Sequence, residues 1–297
     1  MPYSIVLNLL PHQPFNPSEV TGERLQAMVL QLIGQVDAEL AAELHDGNAL
    51  RQYAIAVIRP KLFLPRRREP PALVRELTVR IASLDDRVYP AIAAWGLRIS
   101  ERPTQLKLGR VDLQVTRILV TSQSGEPWAG YATFDQLLQR ASDRVALIQL
   151  EFATPVCFRQ GPLDEPVPLP RHVFGGLARR WNAAFHDQLP LPLGIPGEAD
   201  SPEGFLRWID QHLVLTHPFE FRSGVLDEGG GRKVTGFVGR ATYRIIGNPG
   251  PAFVYFINLL ADAAFFMGLG KKTSRGCGLV RRMMDWAKWA KWAKWAK

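Results

Sequence analysis

The sequence predicts an α+β protein made of two consecutive units, each running strand–helix–strand–strand–helix–strand. Three observations predict it. Short apolar runs of strand length alternate with longer stretches in which apolar residues recur every three or four positions, the marks of strands and of amphipathic helices. This succession is completed once before residue 122 and again after residue 143. The intervals between runs hold Pro, Gly, Asn and Asp, the residues that turn a chain.

YSIVLNLL (3–10) reads as the first strand and is ended by PHQPFNP. Thr21 is a helix N-cap, and Leu25, Met28, Val29, Leu32, Val36, Leu40 and Leu44 follow at spacings of three and four. One amphipathic helix of about six turns is therefore expected, with Gly47 to terminate it. YAIAVI (53–58) is the second strand, RPKLFLPRRREPP a loop, and LTVRIASL (77–84) the third strand. YPAIAAWGLR (89–98) predicts a short helix, and LKLGRVDLQVTRILVT (106–121) a long strand or a hairpin.

The second half repeats the order. RVALIQLEFATPVCF (144–158) is a strand, and VFGGLARRWNAAF (173–185) a helix with Phe174, Leu177, Trp181 and Phe185 on one face. A Pro- and Gly-rich insert (189–200) precedes a short helix at SPEGFLRWIDQHL. HLVLTHPFEFRS and RKVTGFVGRATYRII pair across the turn LDEGGG. PAFVYFINLLADAAFFMG (251–268) is a helix, with Pro251 at its start and Gly268 at its end, and a last strand covers 277–284. Each half is the split-βαβ, or ferredoxin-like, pattern, which is also that of RRM-like modules. The expected domains are 1–125 and 144–285, joined by 126–143, with a tail at 286–297 outside the fold.

Composition narrows the class. A chain of 297 residues that is 46% hydrophobic has material for a proper core. Cys157 and Cys277 lie far apart and form no CxxC, which points to a reducing compartment and no structural zinc. MPYSIVLNLLPHQP has no basic leading segment, and its apolar run is too short for a signal peptide or a membrane span. A cytoplasmic protein that does not use a membrane is expected. The net charge is +8, and half of that excess comes from four lysines in the tail WAKWAKWAKWAK. A period of three turns a helix by only ~300° per repeat, so the tail keeps no single helical face. Elsewhere the basic residues gather at Arg66–Arg68, at Arg171, Arg179 and Arg180, at Arg281–Arg282, and in GLGKKTSRGCG (268–278).

That last stretch is Gly-rich and cationic, as a phosphate-holding loop is. It is not a Walker A loop, because Phe265 stands where the first Gly belongs and Lys272 where Ser or Thr belongs. Nor is it the dinucleotide fingerprint, since Thr273 takes the place of the third Gly. Both motifs also run from strand to helix, whereas this loop runs from helix to strand. A nucleic-acid backbone is the phosphate left to consider. There is no HExxH, no Asp/Glu cluster and no Cys/His ligand set, so neither metal nor cofactor is expected.

Four fragments carry a family resemblance: GLGKKTSRGCGLV after its aromatic-rich helix, LEFATPVCFR leading to RHVFGGLARRWNAAF, FRSGV before GFVGRATYRI, and IVLNLLP before TGERLQAMVLQL. With these in this order the chain resembles the CRISPR-associated repeat-processing endoribonucleases, the Cas six family of the RAMP superfamily. The resemblance implies binding of CRISPR repeat RNA, with other effector-complex subunits as further partners. It implies cleavage of precursor CRISPR RNA by 2′-OH attack, without metal, leaving 2′,3′-cyclic phosphate and 5′-OH ends. Gly268, Gly270, Lys271, Lys272, Thr273, Ser274 and Arg275 are then the RNA-contacting loop. Arg179 and Arg180 are either RNA contacts or a solvated helix face, and His172, beside Arg171, is a further candidate for RNA contact.

His45 falls where the family often carries its catalytic His, after the first helix and before the second strand, and is the expected base; His12 is the second candidate. The bland alternative for His45 is a residue that favours the C-terminal end of a helix dipole. Arg51 lies near the position of a catalytic Lys in some members and would stabilise the phosphorane, although guanidinium is a poor proton donor. Leu30 stands where some members carry a Tyr. That departure keeps open an inactive repeat-RNA-binding or scaffolding subunit.

Overall fold

The structure is a computed structural model that describes residues 1–46, 52–63, 72–101, 105–185, 187–188 and 202–283. The first half contains β1 (Tyr3–Pro11), α1 (Gly22–Gly34), α2 (Ala38–Asp46), β2 (Tyr53–Arg59), β3 (Leu77–Ser83), α3 (Val88–Glu101), β4 (Leu106–Leu108) and β5 (Val111–Leu119). Its strands form one antiparallel sheet in the order β2-β3-β1-β5-β4, with the short β6 (Gly130–Tyr131) added to β1. α4 (Phe134–Arg140) follows, opened by a capping box between Thr133 and Gln136. The second half contains β7 (Leu147–Val156), β8 (Phe158–Gln160), β9 (Leu163–Glu165), α5 (Pro170–Phe185), α6 (Pro202–His212), β10 (Leu213–Gly229), β11 (Arg232–Ile245), α7 (Pro251–Met267) and β12 (Val280–Arg282). Its main sheet runs β10-β11-β7-β12. Both sheets have the ferredoxin-like order, the first strand central and the fourth beside it, so the fold is two tandem ferredoxin-like units.

The expected long first helix is two helices. α1 stops at Gly34, and the Asp37 carboxylate accepts from the amide of Leu40 at 2.9 Å, capping α2. Gly34 is a weak helix former, and it leaves room for Ala41, whose Cβ lies 3.4 Å from where a side chain at 34 would begin. The apolar stripe survives the break, since Leu25, Met28, Val29, Leu32, Leu40 and Leu44 are all buried. Gly47 lies outside the described residues. The 106–121 segment is a hairpin turning at Gly109, whose φ is +62°. The second half adds the β8–β9 hairpin, for which the sequence carried no reading.

Strand alternation explains how the halves meet. Ile5, Leu7 and Leu9 of β1 pack among the helices of the first half, whereas Val6 points the other way, into a cluster with Ala56, Trp128 and Leu279. β3 is buried along its whole length, because its sheet has helices on one face and the second half on the other. α7 belongs to both sides. Phe253, Ile257, Leu260 and Ala264 lie in the core of the second half, while its C-terminal turn carries Phe265 against Trp128 of the first. A helix apolar on all faces is the expected occupant of such a position.

Arg80 of β3 is buried at this junction. Its Nε donates to Ser4 Oγ at 2.7 Å and its Nη2 to the Phe265 carbonyl, with the guanidinium 4.7 Å from the Phe265 ring. Burial, helped by nearby Arg281, pushes the Arg80 guanidinium down to about 9, so it still carries its proton at neutrality. Among the described residues no helix is long and apolar enough to cross a membrane. Arg80→Ala would strand the Phe265 carbonyl and open a cavity between the sheets. The expected loss is about 3 kcal/mol, read as a lower urea midpoint at unchanged slope.

Candidate functional site

The chain leaves α7 at Gly268 and folds into a compact loop up to Gly278. Gly268, Gly270, Gly276 and Gly278 all have φ between +65° and +100°, and Lys272, at +58°, is the one non-glycine with positive φ among the described residues. Two glycines are required by close approach as well. A Cβ on Gly270 would lie 2.5 Å from the Cys157 carbonyl oxygen, and one on Gly278 would lie 2.2 Å from that of Leu269. The loop is pressed onto the end of β7 by hydrogen bonds from the Lys271 amide to Cys157 O at 3.1 Å and from the Gly278 amide to Pro155 O at 3.0 Å. Glycine therefore serves contact with the protein at these points. The amides of Lys271 and Gly278 are spent on the carbonyls of Cys157 and Pro155. Cys157 and Cys277 are packed beneath the loop, and burial pushes their thiols up to about 11 and about 12.

Arg180 turns inward from α5. It donates to the carbonyls of Met267 at 3.3 Å and Gly270 at 3.0 Å, and to Thr273 Oγ1 at 3.2 Å. Burial, then neighbouring Arg179, pushes it down to about 10, which leaves it cationic. Its contacts make it a clamp on the loop. Thr273 and Ser274 are also buried.

The loop's cations all meet carboxylates. Lys271 pairs with Asp164 and Lys272 with Glu228, while Arg275 pairs with Glu228 at 2.8 Å and Glu23 at 3.5 Å. Burial alone would raise Glu228, but Lys272 and Arg275 together hold it below the usual carboxylate range. Lys271 first, and then Arg159, hold Asp164 low despite some desolvation. Arg275 also donates from Nε to Gln26 Oε1 of α1 at 2.8 Å, which ties the loop to the first half. Beside the loop lies an open groove of about 500 Å³, walled by Arg159, Gln160, His172 and Arg179 together with Lys271 and Lys272. His172 sits in the first turn of α5, its Nδ1 3.5 Å from Glu165.

His45 occupies the last turn of α2, well exposed, with Nδ1 2.9 Å from Asp46 Oδ1. When Nδ1 donates to that carboxylate, Nε2 carries the lone pair a base needs. Arg51, the Arg66–Arg68 run and the tail from 286 lie outside the described residues.

Residues 1–139 match the family described as the CRISPR Cas6 N-terminal domain, and residues 150–280 match the CRISPR-associated endoribonuclease Cas6. The chain belongs to the Cas6 family of CRISPR-associated endoribonucleases. Among solved structures, a Cas6 product complex is similar over 95% of this chain and 100% of that one, with a TM-score of 0.76 and 25% identity. A second Cas6 product complex gives 0.66 and 25% over 95% and 99% of the two chains. Thermus thermophilus Cas6 gives 0.69 and 24% over 95% and 98%. A search of curated proteins found no match.

In this Cas6 chain, then, the residues singled out in sequence fall into three groups. Lys271, Lys272, Arg275 and Arg179 line the groove as at least partly exposed cations; Arg180, Thr273 and Ser274 line it too but are buried, and with the glycines they shape the loop; His45 lies on α2. Arg159, which sequence reasoning passed over, joins the first group because β8 places it there. Its only sequence signal was its place at the end of LEFATPVCFR.

Two outcomes are expected. Gly270→Ala lifts the loop from β7, so trypsin cuts after Lys271 or Lys272 at least about tenfold faster while the far-ultraviolet dichroism is unchanged. The Glu228 clamp contributes stability above the ordinary glutamate range and loses it as pH falls through the lowered folded value. Glu228→Gln should therefore flatten the stability curve below about pH 4.5, measured by urea unfolding across pH.

Proposed function

We propose that this Cas6 protein binds the CRISPR repeat of a precursor transcript in the basic groove and cuts it once, without metal, by attack of the upstream ribose 2′-OH on the adjacent phosphate. The P–O5′ bond breaks as the new P–O2′ bond forms, and the leaving 5′-oxygen takes up a proton from water, so the products are a 2′,3′-cyclic phosphate and a 5′-OH. The observation that carries the reading is the groove itself, in which Arg159, Arg179, Lys271 and Lys272 converge beside the Gly-rich loop. Lys271 and Lys272 are at the ends of long, partly exposed side chains, so RNA phosphates can compete for them with Asp164 and Glu228. Binding then exchanges internal ion pairs for pairs with RNA and releases counterions from the RNA.

His45 is the base in this reading. Its Nε2 takes the 2′-hydroxyl proton, and Asp46 on Nδ1 stabilises the imidazolium that forms. The pentacoordinate phosphorane gains negative charge and needs a nearby cation. Arg51 is the residue the family position offers for that task. Cas6 product complexes are among the similar structures, in keeping with a protein that holds its cut RNA.

Leu30, buried on α1 where some members carry a Tyr, favours one other reading, a repeat-holding subunit that does not cut. End-labelled repeat RNA incubated in EDTA separates the two. His45→Ala should slow cleavage by at least about 100-fold while Kd stays within about twofold; cleavage at the wild-type rate would remove His45 from the mechanism. Lys271→Ala combined with Lys272→Ala should weaken binding and reduce the slope of log Kd against log salt by about 1 to 2. An unchanged slope would place the loop away from the phosphates.

A further inference from the structure

We propose that Gln26 and Tyr53 are positioning residues, through which the Gly-rich loop holds the helical turn that presents His45. The proposal rests on the reading of His45 as the base. Arg275 of the loop donates from Nε to Gln26 Oε1 at 2.8 Å. Gln26 donates from Nε2 to Tyr53 Oη at 2.9 Å, and the Tyr53 hydroxyl lies 3.3 Å from the Leu44 carbonyl, to which it donates. Gln26 and Tyr53 are 4% and 1% exposed, so water does not compete for these bonds.

The relay runs in one direction. A guanidinium only donates, so it takes the amide oxygen of Gln26 and turns the amide NH2 towards Tyr53. The phenol oxygen then accepts on that side, and its proton is left for Leu44. The Leu44 carbonyl belongs to the last turn of α2, where carbonyls have no partner within the helix. His45 is the next residue. α2 has only 9 residues, and a helix of that length frays at its end unless tied. Tyr53 is a firm post for the tie, because it opens β2 and pairs in register with Ser83 of β3. At the other end, Arg275 shares Glu228 with Lys272, a wall of the groove. A phosphate that draws Lys272 away from Glu228 thus acts on the same cluster that anchors the relay.

Tyr53→Phe keeps the ring and removes the hydroxyl that makes both bonds. Single-turnover cleavage of repeat RNA should fall about 10- to 100-fold, with Kd within about twofold of wild type and an intact far-ultraviolet spectrum. Gln26→Glu is the second variant, nearly the same in shape. Its carboxylate still accepts from Arg275 but cannot donate, so the Tyr53 proton turns to it and leaves Leu44. A packing role alone predicts an unchanged rate for Gln26→Glu; the relay predicts a slow enzyme that still binds RNA. Wild-type rates in both variants, with His45→Ala inactive, overturn the relay and leave the His45 reading standing. A fully active His45→Ala overturns both. Loss of RNA binding in step with rate also overturns the relay, since the fault would then lie in the groove.

Discussion

The C-terminal end of α7 is held by two buried arginines, one from each half of the chain, and the rest of the site depends on that grip. Arg80 of β3 reaches the Phe265 carbonyl, and Arg180 of α5 reaches that of Met267. Both carbonyls belong to the last turn, where helix acceptors lack partners and the dipole favours positive charge. Because the two cations come from different units, the bond network that ends the helix also locks the units together. The Gly-rich loop begins at the next residue. Its position relative to both sheets is therefore set before any of its own side chains is considered.

From that fixed origin the loop is shaped by two kinds of contact. Backbone contacts with Pro155 and Cys157 hold it against β7 and require glycine where carbonyls come too near for a Cβ. Ion pairs with Asp164, Glu228 and Glu23 hold its cations in place. A groove whose cations were unpaired would repel itself. Here the carboxylates offset that repulsion and leave the long lysine side chains able to exchange partners. Arg180 is different in kind, since buried donors committed to three acceptors do not change hands easily.

Much of the fold was legible because it rests on periodicity. The strands, α5 and α7 follow from runs of apolar residues, and the two-unit order follows from their succession. The break between α1 and α2 was harder, because the apolar stripe runs straight through it; the signals were Gly34 and the Asp37 cap, which compete with a continuous helix only when α2 can fold back onto α1. Within the site, residue type was legible and direction was not. Arg179 and Arg180 are neighbours in sequence and both reach the groove wall, yet Arg179 is exposed while Arg180, about 100° further around the helix, is buried and committed to the loop. The carboxylates that pair with the loop could not be found by spacing at all. Glu23, Asp164 and Glu228 come from α1, β9 and β10, and only the packing of both halves brings them to one place.

The same packing joins the loop to the helical turn that carries His45, although the two are far apart in the chain. A rigid link between them needs donors and acceptors in an unbroken sequence, since any neutral gap would let the two ends move separately. Arg275 supplies a donor that cannot reverse, Gln26 an amide that passes the direction on, and Tyr53 a hydroxyl that ends it on a carbonyl of α2. Replacing any one by an apolar residue of equal size would preserve packing and break the order. That separates this chain of bonds from ordinary core, where shape alone is what counts.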